Sequence, residues 1–103
     1  MLLVNTDYIS GKELQTVCLV KGSVVQSKHI GRDIMASLKT IIGGELAGYT
    51  EMLCDARDMA TARMVEEARE AGADAIVGIR YATSNIAQNA AEVLVYGTAV
   101  RYK

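Results

Sequence analysis

Apolar positions recur along the chain in distinct rhythms, and each predicts an element. Leu53, Ala56, Ala60, Met64, Ala68 and Ala71 step by three or four residues. That is the spacing of one apolar face on an α-helix. Thr50 predicts the N-cap, and Tyr49 and Cys54 occupy the two positions of a hydrophobic staple. Glu51 and Asp55 place negative charge near the positive end of the helix, and Arg63 is set to pair with Glu66 or Glu67. Gly72 predicts the stop, because glycine enters the left-handed conformation at low cost. A helix of about 22 residues spans ~33 Å. That exceeds twice the radius of gyration of a compact chain of this length, ~26 Å, so it crosses the whole molecule. Its stripe is mostly alanine, which lets a sheet approach closely.

A strand rhythm flanks this helix. Residues 75–83 are short, β-branched and apolar, and predict a buried strand after a turn at Gly72-Ala73-Asp74. Gly78 within it reads as a strand glycine under close packing. Residues 84–90 contain Asn85 and Asn89 and read as a connection. From 92 to 102, Val93, Val95, Gly97 and Ala99 alternate with Glu92, Leu94, Tyr96, Thr98, Val100 and Tyr102, which predicts a second strand in an antiparallel hairpin. Residues 14–26 are apolar or β-branched on both parities, as suits a strand covered on both faces, with a bulge or bend at Gly22-Ser23. Leu2-Leu3-Val4 predicts a short strand and 5–11 a turn region. Ile34, Leu38, Ile41 and Ile42 predict a short helix over 33–42, stopped by Gly43-Gly44. The order is a β-α-α-β-β unit. It is an α+β fold with an antiparallel sheet packed on one long helix.

Composition narrows the class. The chain has 103 residues, half of them hydrophobic, with a formal net charge of −1 and a mean hydropathy of +0.16. The length predicts a single domain, residues 1–103. The 11 basic and 12 acidic residues are interspersed, so no basic stripe supports nucleic-acid binding. Apolar runs fall far short of the ~20 residues of a membrane span, and the first residues lack the regions of a signal peptide. The expectation is a soluble cytoplasmic protein. Its excess of apolar surface and open sheet edges favour pairing with further copies of itself.

Candidate chemistry is sparse. His29 is the sole histidine and lacks a ligating residue one turn away, so it reads first as a loop histidine and second as a metal ligand. Cys18 and Cys54 lie outside any CxxC pair. Each reads as a small buried hydrophobe, and the competing reading is a soft-metal site spanning the two or formed between subunits. Gly31-Arg32-Asp33 lies at a predicted helix start, where free N–H groups favour an anion; plain capping with a surface ion pair is the simpler reading. Glu51, Asp55 and Asp58 lie near one side of the long helix and read as a solvated face, or as a cation site at a symmetric interface. The Gly72 and Gly78 spacing follows a helix and precedes a strand, the reverse of a dinucleotide-binding context.

Taken together, several stretches carry a family likeness. They are Val20-Lys21-Gly22, Ile30-Gly31-Arg32-Asp33, Ile42-Gly43-Gly44, Gly48-Tyr49, the run from Ala68 to Gly78, and Gly97-Thr98-Ala99-Val100. In this combination the chain resembles the YbjQ-like family, small bacterial and archaeal proteins described as heavy-metal-binding. The resemblance implies a core like that of dodecin subunits and a homo-oligomeric ring, a pentamer or a pair of pentamers. It transfers no catalytic or metal residue. The function expected is a non-enzymatic oligomeric binding protein for a metal ion or small anionic ligand. Two alternatives stand beside it. One is an enzyme with an inter-subunit site built from Arg32, Asp33, Tyr49 and Glu51; the other is a protein–protein assembly module.

Overall fold

The computed structural model describes residues 1–27, 41–42, 45–87 and 90–103, and the side chains among these outside 41–49. The elements in order are β1 (Leu2–Leu3), β2 (Leu14–Ser27), β3 (Ile41–Ile42), β4 (Glu45–Leu46), α1 (Ala47–Glu70), β5 (Ala75–Ala87) and β6 (Ala90–Tyr102). Four strands form one sheet in the order β1-β5-β6-β2. β5, β6 and β2 are antiparallel to their neighbours, and β1 adds a short parallel strand against Ala75 and Ile76. The α+β class with a long helix on a sheet therefore holds, in a mixed sheet. Ile41 and Ile42 pair as a strand with Leu46 and Glu45 rather than closing a helix; positions 33–40 of that expected helix lie outside the described residues.

The alanine stripe does what its spacing predicts. Ala56, Ala60, Met64 and Ala68 are wholly buried, and Leu53 packs against the same core. They meet Val20 and Val24 of β2, Val93, Val95 and Ala99 of β6, and Ile76 of β5. α1 begins at Ala47, so Thr50 lies inside the helix rather than at its cap, and the first turn carries no acid. The staple of Tyr49 and Cys54 loses its basis, because Tyr49 is no longer the residue before a cap. At the other end, Gly72 has φ +76°. The Gly72 amide donates to the Arg69 carbonyl at 2.9 Å and the Ala73 amide to the Ala68 carbonyl at 3.0 Å. This pair is a Schellman stop. Arg101 completes it from β6: its Nε donates to the Gly72 carbonyl at 2.9 Å and an Nη to the Ala71 carbonyl at 3.1 Å. A cation at a helix C-terminus also offsets the negative end of the dipole. Asp74 accepts the Tyr102 amide at 2.9 Å, which ties the turn to the end of β6.

Three glycines explain how closely these layers pack. Gly22 continues the ladder without a bulge, facing Val95. A Cβ there would overlap the Ala60 carbonyl oxygen and lie 2.7 Å from the Met64 amide nitrogen. Gly22 is therefore the seat on which α1 rests, and the irregularity expected at 22–23 occurs instead between Thr16 and Cys18. Gly78 has φ +63°, and a Cβ on it would meet only Asp7 Oδ1 at 3.7 Å. It serves a bulge in which Gly78 and Ile79 together face Gly97. The close packing expected at Gly78 is found at Gly97, where a Cβ would lie 2.8 Å from Ile76 Cγ2 and 3.0 Å from the Val77 carbonyl oxygen.

Candidate functional site

β2 alternates strictly from Val20 to Val24. Val20, Gly22 and Val24 are buried under α1, while Leu19, Lys21, Ser23 and Val25 are exposed. The apolar residues on its second parity are thus uncovered, which corrects the expectation of a strand buried on both faces. Register places Leu19 beside Thr98, Lys21 beside Tyr96, Ser23 beside Leu94 and Val25 beside Glu92. Arg80, Ala82 and Ser84 continue the same face on β5. The face opposite the helix therefore presents Leu19 at 64% exposure, Val25 at 57% and Tyr96 at 40%. Among the described residues, its other end is the part that is covered, where Val4, Ile9 and Leu14 pack on Ala75, Val77 and Val100.

β5 runs on to Ala87 and pairs with the start of β6. Residues 84–87, expected as a connection, instead lengthen the hairpin. From Arg80 to the end of β5 every residue is exposed. α1 lies over β2 and β6 and touches β5 little, so the helix-side face of this stretch is held only at its start. There Tyr81 Oη and Thr61 Oγ1 share a hydrogen bond of 2.8 Å, and Thr61 donates to the Arg57 carbonyl at 2.7 Å. Arg63 donates to the Ser23 carbonyl at 2.6 Å instead of pairing with Glu66 or Glu67. The ion pair on this helix joins Arg69 to Glu66 at 3.8 Å, between exposed side chains.

The residues singled out for chemistry do not converge on the described part of one chain. Cys18 on β2 and Cys54 on α1 are both free and exposed. They are not the buried hydrophobes expected: Cys18 shares the helix-side parity of Val20 and registers with Ala99 yet stays exposed, and Cys54 lies off the buried stripe of α1. Arg57 Nη1 lies 3.8 Å from Cys54 Sγ. Glu51, Asp55 and Asp58 are exposed. His29, Arg32 and Asp33 lie outside the described residues, as does the side chain of Tyr49. Among the described residues, no three His, Cys, Asp or Glu side chains cluster as a metal site. No helix among them is long and apolar enough to cross a membrane. The feature that stands out among the described residues is a surface, a sheet face with exposed apolar side chains bounded by long strand edges. Sequence reasoning saw the edges but missed the Tyr81–Thr61 and Arg63–Ser23 links, which join residues 20 and 40 positions apart and leave no local signal.

A helix laid across an antiparallel hairpin, with a large sheet surface exposed, defines a class of small α+β proteins. The chain belongs to the YbjQ-like family: that family's model, described as "Putative heavy-metal-binding", matches residues 1–103. A UPF0145 protein of Clostridium novyi is 63% identical over 101 residues, covering 98% of each chain. A UPF0145 protein of Alkaliphilus metalliredigens is 59% identical over 102 residues, covering 99% of each. The fold is also that of a Pediococcus pentosaceus protein of unknown function from the DUF74 family. The two superpose with a TM-score of 0.68 at 15% identity, over 100% of this chain and 98% of the other. Of the stretches that carry the family likeness, those within the described residues have architectural reasons. Gly22 seats the helix, Gly72 stops it, Gly78 makes the bulge and Gly97 packs against it.

Proposed function

We propose that the protein is a non-enzymatic, ring-forming homo-oligomeric binding protein whose ligand is a metal ion or a small anion. The observation that carries the oligomer is the shape of the isolated chain. Its radius of gyration is 16.9 Å, where a compact chain of this length has ~13 Å. The excess comes with exposed apolar side chains, among them Leu19, Val25, Tyr81, Ile86 and Tyr96. Apolar surface on this scale is removed from water by association, and cyclic symmetry is the usual way to close such contacts.

The family's description supports a soft metal as the ligand. Two exposed thiols, Cys18 and Cys54, are donors of the right softness, with His29 as a third candidate. Cys18 and Cys54 belong to no cluster of three His, Cys, Asp or Glu among the described residues, and the reading is of a site that takes ligands from more than one copy. Arg32, Asp33, Tyr49 and Glu51 are the corresponding candidates for an anion.

Native mass measurement combined with elemental analysis of the purified protein tests both halves. The expected result is one discrete oligomer containing a soft metal in fixed ratio to subunits, reduced by Cys18→Ser or Cys54→Ser. A monomer refutes the oligomer. An oligomer with no bound metal, and no rise in melting temperature with zinc, cadmium, nickel or copper, refutes the metal reading.

A further inference from the structure

β2 turns its backbone two ways. In an antiparallel pair alternate residues exchange both bonds with the partner strand, and the residues between them point both groups away from it. Val20, Gly22 and Val24 sit beside Gly97, Val95 and Val93 of β6, with Lys21 and Ser23 between them. At Lys21 and Ser23 the helix takes an outward group of each. The Lys21 amide donates to Glu67 Oε1 at 3.3 Å, and Arg63 Nη1 donates to the Ser23 carbonyl at 2.6 Å. One helical turn before Arg63, Met59 Sδ accepts from Gln26 Nε2 at 3.5 Å.

We propose that Arg63 and Glu67 form a side-chain latch over the edge of β2. The carboxylate stands in for a strand's carbonyl and the guanidinium for its amide, so a further strand cannot bond at residues 21–23 until the latch lets go. The latch is a property of the single chain and is independent of the homo-oligomer reading.

The spacing fits. Met59, Arg63 and Glu67 form one row of α1, and four helical residues rise ~6 Å. Two residues of strand, from Lys21 to Ser23, cover ~6.6 Å. Helix and strand run in opposite senses here, so Glu67 meets Lys21 and Arg63 meets Ser23. The reach comes from Gly22, which lies between the two latched residues. A Cβ there would overlap the Ala60 carbonyl oxygen and lie 2.7 Å from the Met64 amide nitrogen, so the bare backbone lets α1 settle against β2. Ala56, Ala60, Met64 and Ala68 fill that contact, and the adjacent row of Met59, Arg63 and Glu67 hangs over the flank of the strand. The two charges are also placed to pair with each other one turn apart. Both are directed to the strand instead, and the ion pair on α1 joins Arg69 to Glu66.

The composition of β2 gives the latch a purpose. Residues 14–27 carry a single charge, Lys21, and no proline. A segment of this kind, rich in apolar and β-branched residues, pairs readily with further strands unless charges or a covering element protect it. Arg63 and Glu67 supply those charges from another element.

Arg63 is exposed and Glu67 half-buried, and alanine is a strong helix former, so Glu67→Ala, Arg63→Ala and the double variant are expected to fold. Amide hydrogen exchange, read residue by residue by NMR, tests the contact. In Glu67→Ala the Lys21 amide is expected to exchange about tenfold faster or more, the effect of losing one bond to a charged group, while the Gly22 and Val24 amides, which face β6, stay within about twofold. Glu67→Gln keeps an acceptor oxygen and is expected to restore most of the protection. Unchanged exchange at Lys21 in Glu67→Ala, or a rise shared equally by Gly22 and Val24, overturns the latch. Strand association tests the consequence. At equal concentration the Arg63→Ala, Glu67→Ala double variant is expected to form thioflavin-binding fibrils with a lag about threefold shorter than the parent. Ile76→Val, a change in the buried core on β5, is the control for lost stability. A lag in the double variant no shorter than that of Ile76→Val shows that these contacts do not keep strands from β2, and refutes the proposal.

Discussion

Gly22→Ala tests the packing of the whole domain with one methyl group. The backbone at Gly22 is not in the left-handed region, so alanine suffers no conformational strain there, and the loss of glycine's freedom in the unfolded chain alone favours folding by about 0.4–1 kcal/mol. The opposing effect is spatial. The added carbon overlaps the Ala60 carbonyl oxygen and falls 2.7 Å from the Met64 amide nitrogen. These two groups are four residues apart, the donor and acceptor of one intrahelical bond. Neither can turn aside as a side chain would, so α1 must retreat from β2 or tilt. Overpacking of this kind costs about 1–3 kcal/mol and sometimes more. A retreat of even 0.5–1 Å also loses about a quarter to a half of the dispersion energy across the gap, here along Ala56, Ala60, Met64 and Ala68 against Val20, Val24 and Val93. The expected net loss is about 3 kcal/mol. Denaturant unfolding at matched protein concentration measures it, with Gly11→Ala as the control: Gly11 has φ +74° and nothing within 4 Å, so its variant bears conformational strain of only about 1–2 kcal/mol. If Gly22→Ala is within 0.5 kcal/mol of the parent, the helix does not rest on Gly22 and the reasoning fails.

Other substitutions separate other causes. Met64 is the largest wholly buried side chain, and Met64→Ala is expected to cost about 2–5 kcal/mol by equilibrium unfolding; a cost under 1 kcal/mol would mean that the core collapses around the void. At Gly78 the demand is conformational, so stability should fall in the order glycine, asparagine, alanine, valine, because asparagine visits the left-handed region most readily and β-branched residues least. Equal stability of Gly78→Asn and Gly78→Val would point to crowding instead. Arg101→Lys keeps the charge and loses the fork that reaches the Ala71 and Gly72 carbonyls. It should lower stability by about 1 kcal/mol and speed amide hydrogen exchange at the C-terminal end of α1, and unchanged exchange there would rule out the capping role.

The long helix and its end were legible in the sequence because both are local. A stripe at three- and four-residue steps can bury only one face, and a glycine followed by a strand-forming run admits few ways to continue. The alternation in β6 was legible for the same reason, since parity alone assigns Val93, Val95, Gly97 and Ala99 to one face. The start of the helix was not. Thr50 has the chemistry of a cap, but α1 begins three residues earlier at Ala47, and capping preference is worth only about 1 kcal/mol. The candidate ligands were legible only as residue types, because a metal or anion site is a convergence in space and one chain's sequence carries no distances.

What the amino-acid sequence determined by itself is therefore the long helix, the strands that flank it, and the inward face of the helix and of β6. Tertiary structure decided which glycine does what. Gly22, Gly78 and Gly97 look alike as letters, yet one clears room for a helix backbone, one supplies a positive φ, and one accommodates the side chains around a bulge. It also decided that Cys18 and Cys54 face solvent, and that the second parity of β2 is left open. The reason is physical. Burial and close approach depend on which strand lies beside which and on where the helix crosses them, and those pairings join residues up to 88 positions apart, as between Leu14 and Tyr102.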